Sequence, residues 1–344
     1  MRIGIICPSE IAFRRFLPAL QKIEEIEYVG VAYATLTEWY GKDTEIKPGM
    51  EQVLEVEKEK ADKFAEAYGG KVFSGYETML SSGEIDAVYL PLPPALHYAW
   101  AKLALEKGLH VLVEKPSTTN LSDTEELVQL ALEKGRALHE NYMFAYHTQL
   151  DTVREVMDKG ELGKVRLIRV DFGFPRRAAG DFRYNKKLGG GALLDCGGYT
   201  LKYADMLLDK KAVIDSAKVV YDKDVEVEMF GTAMLSNDAG KIVQVAFGMD
   251  NDYRCSINVW GSTGTLTSNR ILTAPDGFAP TYMISRNGKE EVFTMEADDT
   301  FTKSIRHFCE CVNNSQVRTE TYEALLHQER LVEEFMQLAG MKDS

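Results

Sequence analysis

Apolar positions in the first 120 residues alternate between two spacings. Continuous runs such as "RIGII", "YVGVAYA", "DAVYLPL" and "HVLVEKP" predict buried strands. Between them, "EIAFRRFLPALQKI", "VEKEKADKFAEAYG", "ALHYAWAKLALEKG" and "SDTEELVQLALEKG" place apolar residues three and four apart, which predicts amphipathic helices. "KVFSGYETMLSSGEI" adds a short strand and helix. Strands interleaved with helices predict an α/β doubly wound parallel sheet, and such sheets take ligands beyond the carboxyl ends of their strands. A polar segment from Thr35 to about Glu55 interrupts the alternation, with Gly41, Pro48 and Gly49 as breakers.

After Glu140 the period changes to two. "VRLIRVDFGF", "AKVVYDKDVEVEMFGTAMLS", "KIVQVAFGMD" and "CSINVWGSTGTLTS" read as strands of a mainly antiparallel open sheet. "NDAG", residues 237–240, is a hairpin signal between two of them. Helical stretches follow at residues 300–313 and 320–338. The division expected is a Rossmann-like domain over residues 1–120 and an α+β domain over 121–338, the last helix packing back on the first domain.

Composition narrows the function classes. With 344 residues and 45% apolar content, two ordinary cores can be built. The 40 basic and 53 acidic residues give a net charge of −13, which repels phosphate backbones and argues against nucleic acid. No run approaches the ~18 apolar residues of a membrane span, and a cytoplasmic protein is expected. The five cysteines make no disulfide framework in a chain of this length. "HFCEC" resembles a metal cluster only superficially, because Cys309 and Cys311 are two apart and face differently on a helix. No metal is expected.

Two stretches carry candidate chemistry. In "VLVEKPST", Lys115 follows a predicted strand at the ligand-binding edge, where its ammonium can meet a substrate oxygen; a plain loop lysine is the other reading. In "KKLGGGALLDCGGYTLKYADMLL", three glycines allow close backbone approach to a ligand, and Asp195 and Tyr199 are one helical turn apart. A carboxylate and a phenol on one face suit binding and protonation of a hydroxyl or carbonyl; capping and packing are the bland alternative.

Taken together, "EKP", "GGGALLDCGGY", "DAVYLPLPPALHYAWAKLALEKGLHVLVEKP", "GELGKVRLI" and "INVWGSTGTL" resemble the glucose–fructose oxidoreductase / inositol dehydrogenase / MocA family from Arg2 to about Leu338. The resemblance implies catalytic roles for Lys115, Asp195 and Tyr199. It implies cofactor contacts from Leu92, Pro93, His97, Glu114 and Lys115, with His97 more structural than catalytic. Substrate contacts fall to Lys115, Tyr142, Arg183, Asp195 and Tyr199. NAD or NADP is the implied cofactor, and a homodimer or homotetramer through the second sheet is the implied assembly.

The chain departs from the family pattern at the dinucleotide turn. Where G-x-G-x-x-A/G is usual, Cys7, Pro8, Ser9, Glu10, Ile11 and Ala12 stand. Loss of glycine is expected to close the left-handed region to the backbone, and Glu10 brings a negative charge near the phosphates. Ser9 and the amides of the first helical turn still offer an anion site. At the end of the second strand, Tyr33, Ala34 and Thr35 carry neither the acidic signature of NAD nor an arginine for NADP. Lys42 or Lys47, in the polar insertion, stand as candidates for a phosphate contact, and a simple surface insertion is the other reading. The sequence therefore predicts an NAD(P)-dependent oxidoreductase moving a hydride to or from a secondary alcohol carbon of a sugar, polyol or nucleotide-linked sugar. A non-catalytic sugar or nucleotide sensor is the alternative that the altered turn suggests.

Overall fold

The structure, a computed structural model, describes residues 1–41, 44–45 and 47–341. Lys42 lies outside the described residues. The chain begins with β1 (Arg2–Ile6), a π-helical turn at Ala12–Phe16, α1 (Leu17–Leu20) and β2 (Glu27–Tyr33). It continues through α2 (Leu36–Tyr40), α3 (Gln52–Tyr68), β3 (Lys71–Ser74), α4 (Tyr76–Leu80), β4 (Ala87–Leu90), α5 (Pro94–Glu106) and β5 (His110–Glu114). Then come α6 (Leu121–Lys134), β6 (Leu138–Asn141), α7 (Gln149–Asp158), β7 (Val165–Gly173) and, after a second π-helical turn at Leu193–Gly197, α8 (Gly198–Leu207). Strands β8 (Val213–Tyr221), β9 (Glu228–Ser236), β10 (Ile242–Gly248), β11 (Arg254–Gly261), β12 (Thr265–Asn269), β13 (Thr281–Arg286) and β14 (Lys289–Thr294) precede α9 (Thr300–Asn313) and α10 (Ser315–Leu338).

The first six strands form one parallel sheet in the order β3-β2-β1-β4-β5-β6. The order reverses between β1 and β4, the crevice where such sheets take ligands. Ile3, Ile5 and Ile6 of β1 and all of β4 are buried, as strands covered on both faces require. Phe16 stacks on Tyr89 with ring centroids 3.9 Å apart, fixing the first helix over the sheet. The helix expected over residues 10–23 is wound as a π turn before α1. Pro18, which has no amide to donate, falls at the join.

The expected boundary at residue 120 leaves out Ser122–Asn141 and Phe301–Leu325, which belong to this unit. The compact unit holds Met1–Thr118, Ser122–Asn141 and Phe301–Leu325. The reason is β6, whose four residues pair with β5 and are too few to show a period. The second unit holds Thr119–Leu121, Tyr142–Thr300 and the described residues from Leu326 onward. Its sheet runs β14-β13-β12-β11-β7-β10-β9-β8, antiparallel except for the β7–β10 pair. The period-two runs do not predict the β13–β14 hairpin. Its signal is Asn287-Gly288, both at positive φ, between two strand-length runs. Among the described residues, no helix is long and apolar enough to cross a membrane.

Candidate active site

The candidate residues fall in both units. In the first unit, β1 delivers the chain into the turn at Cys7-Pro8-Ser9. Cys7 has φ +78°, the left-handed backbone a glycine would supply. The expectation that loss of glycine closes that region is therefore corrected. The cause is hydrogen bonding: Cys7 N–H donates to Ala32 O at 3.0 Å, and Ser9 N–H donates back to Cys7 O at 2.8 Å around Pro8. Burial pushes the Cys7 thiol up to about 12, so it packs as a neutral group and is no nucleophile.

Ser9 caps the helix. Its hydroxyl accepts from Ala12 N–H at 3.3 Å, and its carbonyl accepts from Phe13 N–H at 3.1 Å. Among the described residues the amides of Glu10 and Ile11 meet no protein acceptor, which leaves two donors at a positive helix end. The Glu10 carboxylate turns to Arg14 at 3.1 Å on the exposed surface, so its charge is paired along the helix. A left-handed turn, a capped helix start and two available amides fit a dinucleotide pyrophosphate. The fit survives the loss of glycines.

At the end of β2, Thr35 caps α2 in a reciprocal box. Glu38 N–H donates to the Thr35 hydroxyl at 3.3 Å, and Thr35 N–H donates to the Glu38 carboxylate at 2.7 Å. The same carboxylate accepts from Tyr76 N–H at 3.0 Å and Glu77 N–H at 2.9 Å, so it also caps α4. Glu38 is a residue that sequence reasoning missed; the T-x-x-E spacing was its signal. Tyr33 and Thr35 are partly exposed and Ala34 is buried.

Around β4 and β5, Leu92 is buried, and Pro93 and Pro94 open α5. His97 is fully buried, and its Nδ1–H donates to Pro116 O at 2.7 Å. Burial pushes its pKa down to about 4, so the ring is neutral and pins the Glu114-Lys115-Pro116 segment. Glu114 accepts from Tyr89 hydroxyl at 2.5 Å and from Asn141 Nδ2 at 2.6 Å, while burial holds its carboxyl above the usual range. Lys115 is half-buried beside it, at the carboxyl end of β5.

In the second unit, the glycine-rich stretch serves the protein's own groups. A Cβ on Gly191 would stand 2.5 Å from the Glu228 carboxylate, and one on Gly190 would stand 2.4 Å from Arg183 O. Glu228, 5% exposed, accepts from Leu193 N–H at 2.8 Å at the start of the helical segment. The expected ligand approach at these glycines is replaced by this buried carboxylate, whose burial raises its pKa. Asp195 lies in the π turn and accepts from Arg183 Nε at 2.7 Å, and Arg183 also holds Asp181 at 3.1 Å. The two expected substrate residues thus form one preorganised ion pair.

Tyr199 opens α8 within an aromatic cage. The rings of Tyr142, Phe144 and Phe172 lie 5.2, 5.4 and 5.5 Å from it. Tyr142 is 1% exposed, and its hydroxyl sits where a Cβ on Gly198 would be, 2.2 Å away. Lys202 lies over the Tyr142 ring at 5.0 Å. Gln328, unseen from sequence, donates to Gly198 O at 3.0 Å and holds the helix start.

Comparison with known proteins agrees with this geometry. Residues 26–142 match the model described as an oxidoreductase family with an NAD-binding Rossmann fold. Residues 150–267 match the GFO/IDH/MocA C-terminal domain. The first match begins after the unusual turn. The chain is 35% identical to the dTDP-3,4-didehydro-2,6-dideoxy-alpha-D-glucose 3-reductase of Actinomadura kijaniata, over 97% of this chain and 94% of that one. A 3-ketoreductase from the same organism, solved with NADP and TDP-benzene, superposes with a TM-score of 0.87 at 35% identity, covering 98% of this chain and 97% of that one. The aldose-aldose oxidoreductase of Caulobacter crescentus shares the fold, with a TM-score of 0.82 at 22% identity over 99% and 97% of the two chains. With both family domains matched and near full-length relatives at this identity, the chain belongs to the Gfo/Idh/MocA family and is an NAD(P)-dependent oxidoreductase acting on CH–OH or keto groups.

Proposed function

We propose that the protein is an NADPH-dependent ketoreductase acting on a keto group of a dTDP-linked deoxysugar, with carbon 3 as the reacting position. The observation that carries this reading is the near full-length likeness to four dTDP-sugar 3-reductases at 31–36% identity. It is supported by the presence of Lys115, Asp195 and Tyr199 in family register. When bound, the reduced nicotinamide supplies the hydride. Tyr199 donates a proton to the carbonyl oxygen, and its aromatic cage restricts the phenol to few orientations. Lys115 supplies a positive charge that offsets the negative charge developing on the substrate. Asp195, held by Arg183, accepts from a neighbouring sugar hydroxyl.

NADP is favoured over NAD by the end of β2. Residues 33–35 place no carboxylate there, and the Glu38 carboxylate accepts three backbone amides instead of a ribose. The assembly is a homodimer or homotetramer through the open sheet, whose strands expose Val220, Met234, Trp260 and Val292; light scattering of the eluted protein reads its mass. The functional test is turnover of reduced nicotinamide with a dTDP-linked 3-keto sugar and with the free sugar. Turnover of the nucleotide-linked substrate, falling by about 10²–10⁴ in kcat in Lys115→Ala while NADPH still binds, supports the reading. Turnover of free sugars alone overturns the substrate, and Ala34→Asp leaving the NADPH-to-NADH preference unmoved overturns the cofactor argument.

A further inference from the structure

In "HFCEC", Cys309 and Cys311 are two apart and face differently on the helix. The structure instead brings His307 and Cys311, one turn apart on α9, to His139 of β6. One ligand atom from each of His139, His307 and Cys311 lies within 4.8 Å of the others. All three belong to the first unit.

The hydrogen bonds around the cluster set the tautomers. Asn141 Nδ2 donates to Glu114, so Asn141 Oδ1 is an acceptor and takes the Ser304 hydroxyl proton at 2.8 Å. Ser304 Oγ must then accept from His139 Nε2–H at 3.0 Å, which leaves the His139 lone pair on Nδ1. Thr321 gives its proton to Val317 O at 2.9 Å. Its oxygen therefore accepts from both His307 Nε2 at 3.1 Å and Cys311 Sγ at 3.2 Å, and marks the point on which those two converge. The other nitrogen of His307 faces the Glu310 carboxylate at 3.6 Å. Ser304 thus fixes the His139 tautomer, the outer-shell arrangement that orients histidine ligands, and the Glu310 carboxylate is placed to accept from His307 Nδ1 when that nitrogen carries the proton.

We propose that His139 Nδ1, His307 Nε2 and Cys311 Sγ form a binding site for one Zn²⁺ ion, with water or Thr321 Oγ1 in the fourth position. Two imidazoles and a thiolate suit a borderline-soft divalent cation and exclude Mg²⁺ or Ca²⁺. Tetrahedral zinc places such ligands about 3.5 Å apart, so binding draws the three side chains closer together. Binding releases the Cys311 thiol proton to solvent and shifts His307 to the tautomer protonated at Nδ1, which keeps its proton and faces the Glu310 carboxylate. Glu310 and Glu320 face His307, and the Arg318 guanidinium, bonded to Cys311 O at 3.3 Å, offsets the new thiolate. His139 and Cys311 are buried, so the ion enters past His307.

The test is titration of the full-length, metal-stripped chain with ZnCl₂ by calorimetry and with CoCl₂ by absorption. One equivalent of Zn²⁺ with release of about one proton is expected. So is a thiolate-to-cobalt charge-transfer band that Cys311→Ser and His307→Asn both abolish and Cys309→Ser leaves intact. Glu310→Gln lowers zinc affinity about 10–100-fold. Circular dichroism and thermal melting confirm that each variant is folded, and His307→Asn, at a half-buried position, serves where Cys311→Ser is unstable. A folded wild-type chain without the band, a band surviving Cys311→Ser, or one lost in Cys309→Ser overturns the site.

Discussion

The helix start after β1 and the helix start before α8 each contain a π-helical turn, at Ala12–Phe16 and Leu193–Gly197. Both sit among candidate functional residues, as such turns often do. They differ in glycine. The first turn has none, yet Cys7 adopts φ +78°. The second is crowded with glycine, yet Gly197 and Gly198 sit within the helix, and Gly198 is small so that the Tyr142 hydroxyl can approach. Left-handed backbone and close approach are separate demands that glycine meets equally well. Here a cysteine meets the first under the constraint of two backbone hydrogen bonds, and only glycine meets the second.

Substitutions on the two turns separate these demands. The largest effect is expected from Tyr199→Phe, which removes the proposed proton donor. It should lower kcat by about 10²-fold or more while leaving NADPH affinity within a few-fold, as single-turnover kinetics and calorimetry will read. Loss of cofactor binding instead would mean that the second turn serves the dinucleotide rather than the substrate.

Gly198→Ala comes next. Its Cβ would lie 2.2 Å from a hydroxyl on a side chain that is 1% exposed, so neither group can yield easily. Destabilisation of about 1–3 kcal/mol is expected by urea unfolding. A neutral result would sink the close-approach account of the second turn.

His97 tests the first unit through pH. Its folded pKa, about 4, lies below the ordinary 6.5, so the unfolded chain binds the extra proton between those values. Its stabilising contribution is present above pH 6.5 and falls as pH drops towards 4. The total is on the order of 3 kcal/mol, with a slope of up to about 1.4 kcal/mol per pH unit. His97→Gln should flatten unfolding free energy between pH 6.5 and 5, and an unchanged slope would remove the ring from that role.

The smallest effect belongs to Cys7→Gly. Relief of a left-handed non-glycine residue should stabilise by about 1 kcal/mol, less the lost thiol packing, with NADPH affinity retained or improved. A clear fall in affinity would show that the thiol itself, rather than the backbone angle, shapes the nucleotide turn.

Sequence by itself determined the two sheet classes, because their apolar periods differ and period follows from which faces are buried. It also marked Lys115, Asp195 and Tyr199 as candidates, because their motifs are local. Tertiary structure alone decided what met them. The Arg183–Asp195 pair spans 12 residues, Leu193–Glu228 spans 35, and His139–Ser304 spans 165. Cys7 shows the same limit on a smaller scale. Its amide is held by Ala32 O of the neighbouring strand, so the angle that its residue type disfavours is set by sheet pairing. Periodicity reports burial along one element, whereas these partners are chosen by which elements the fold brings together.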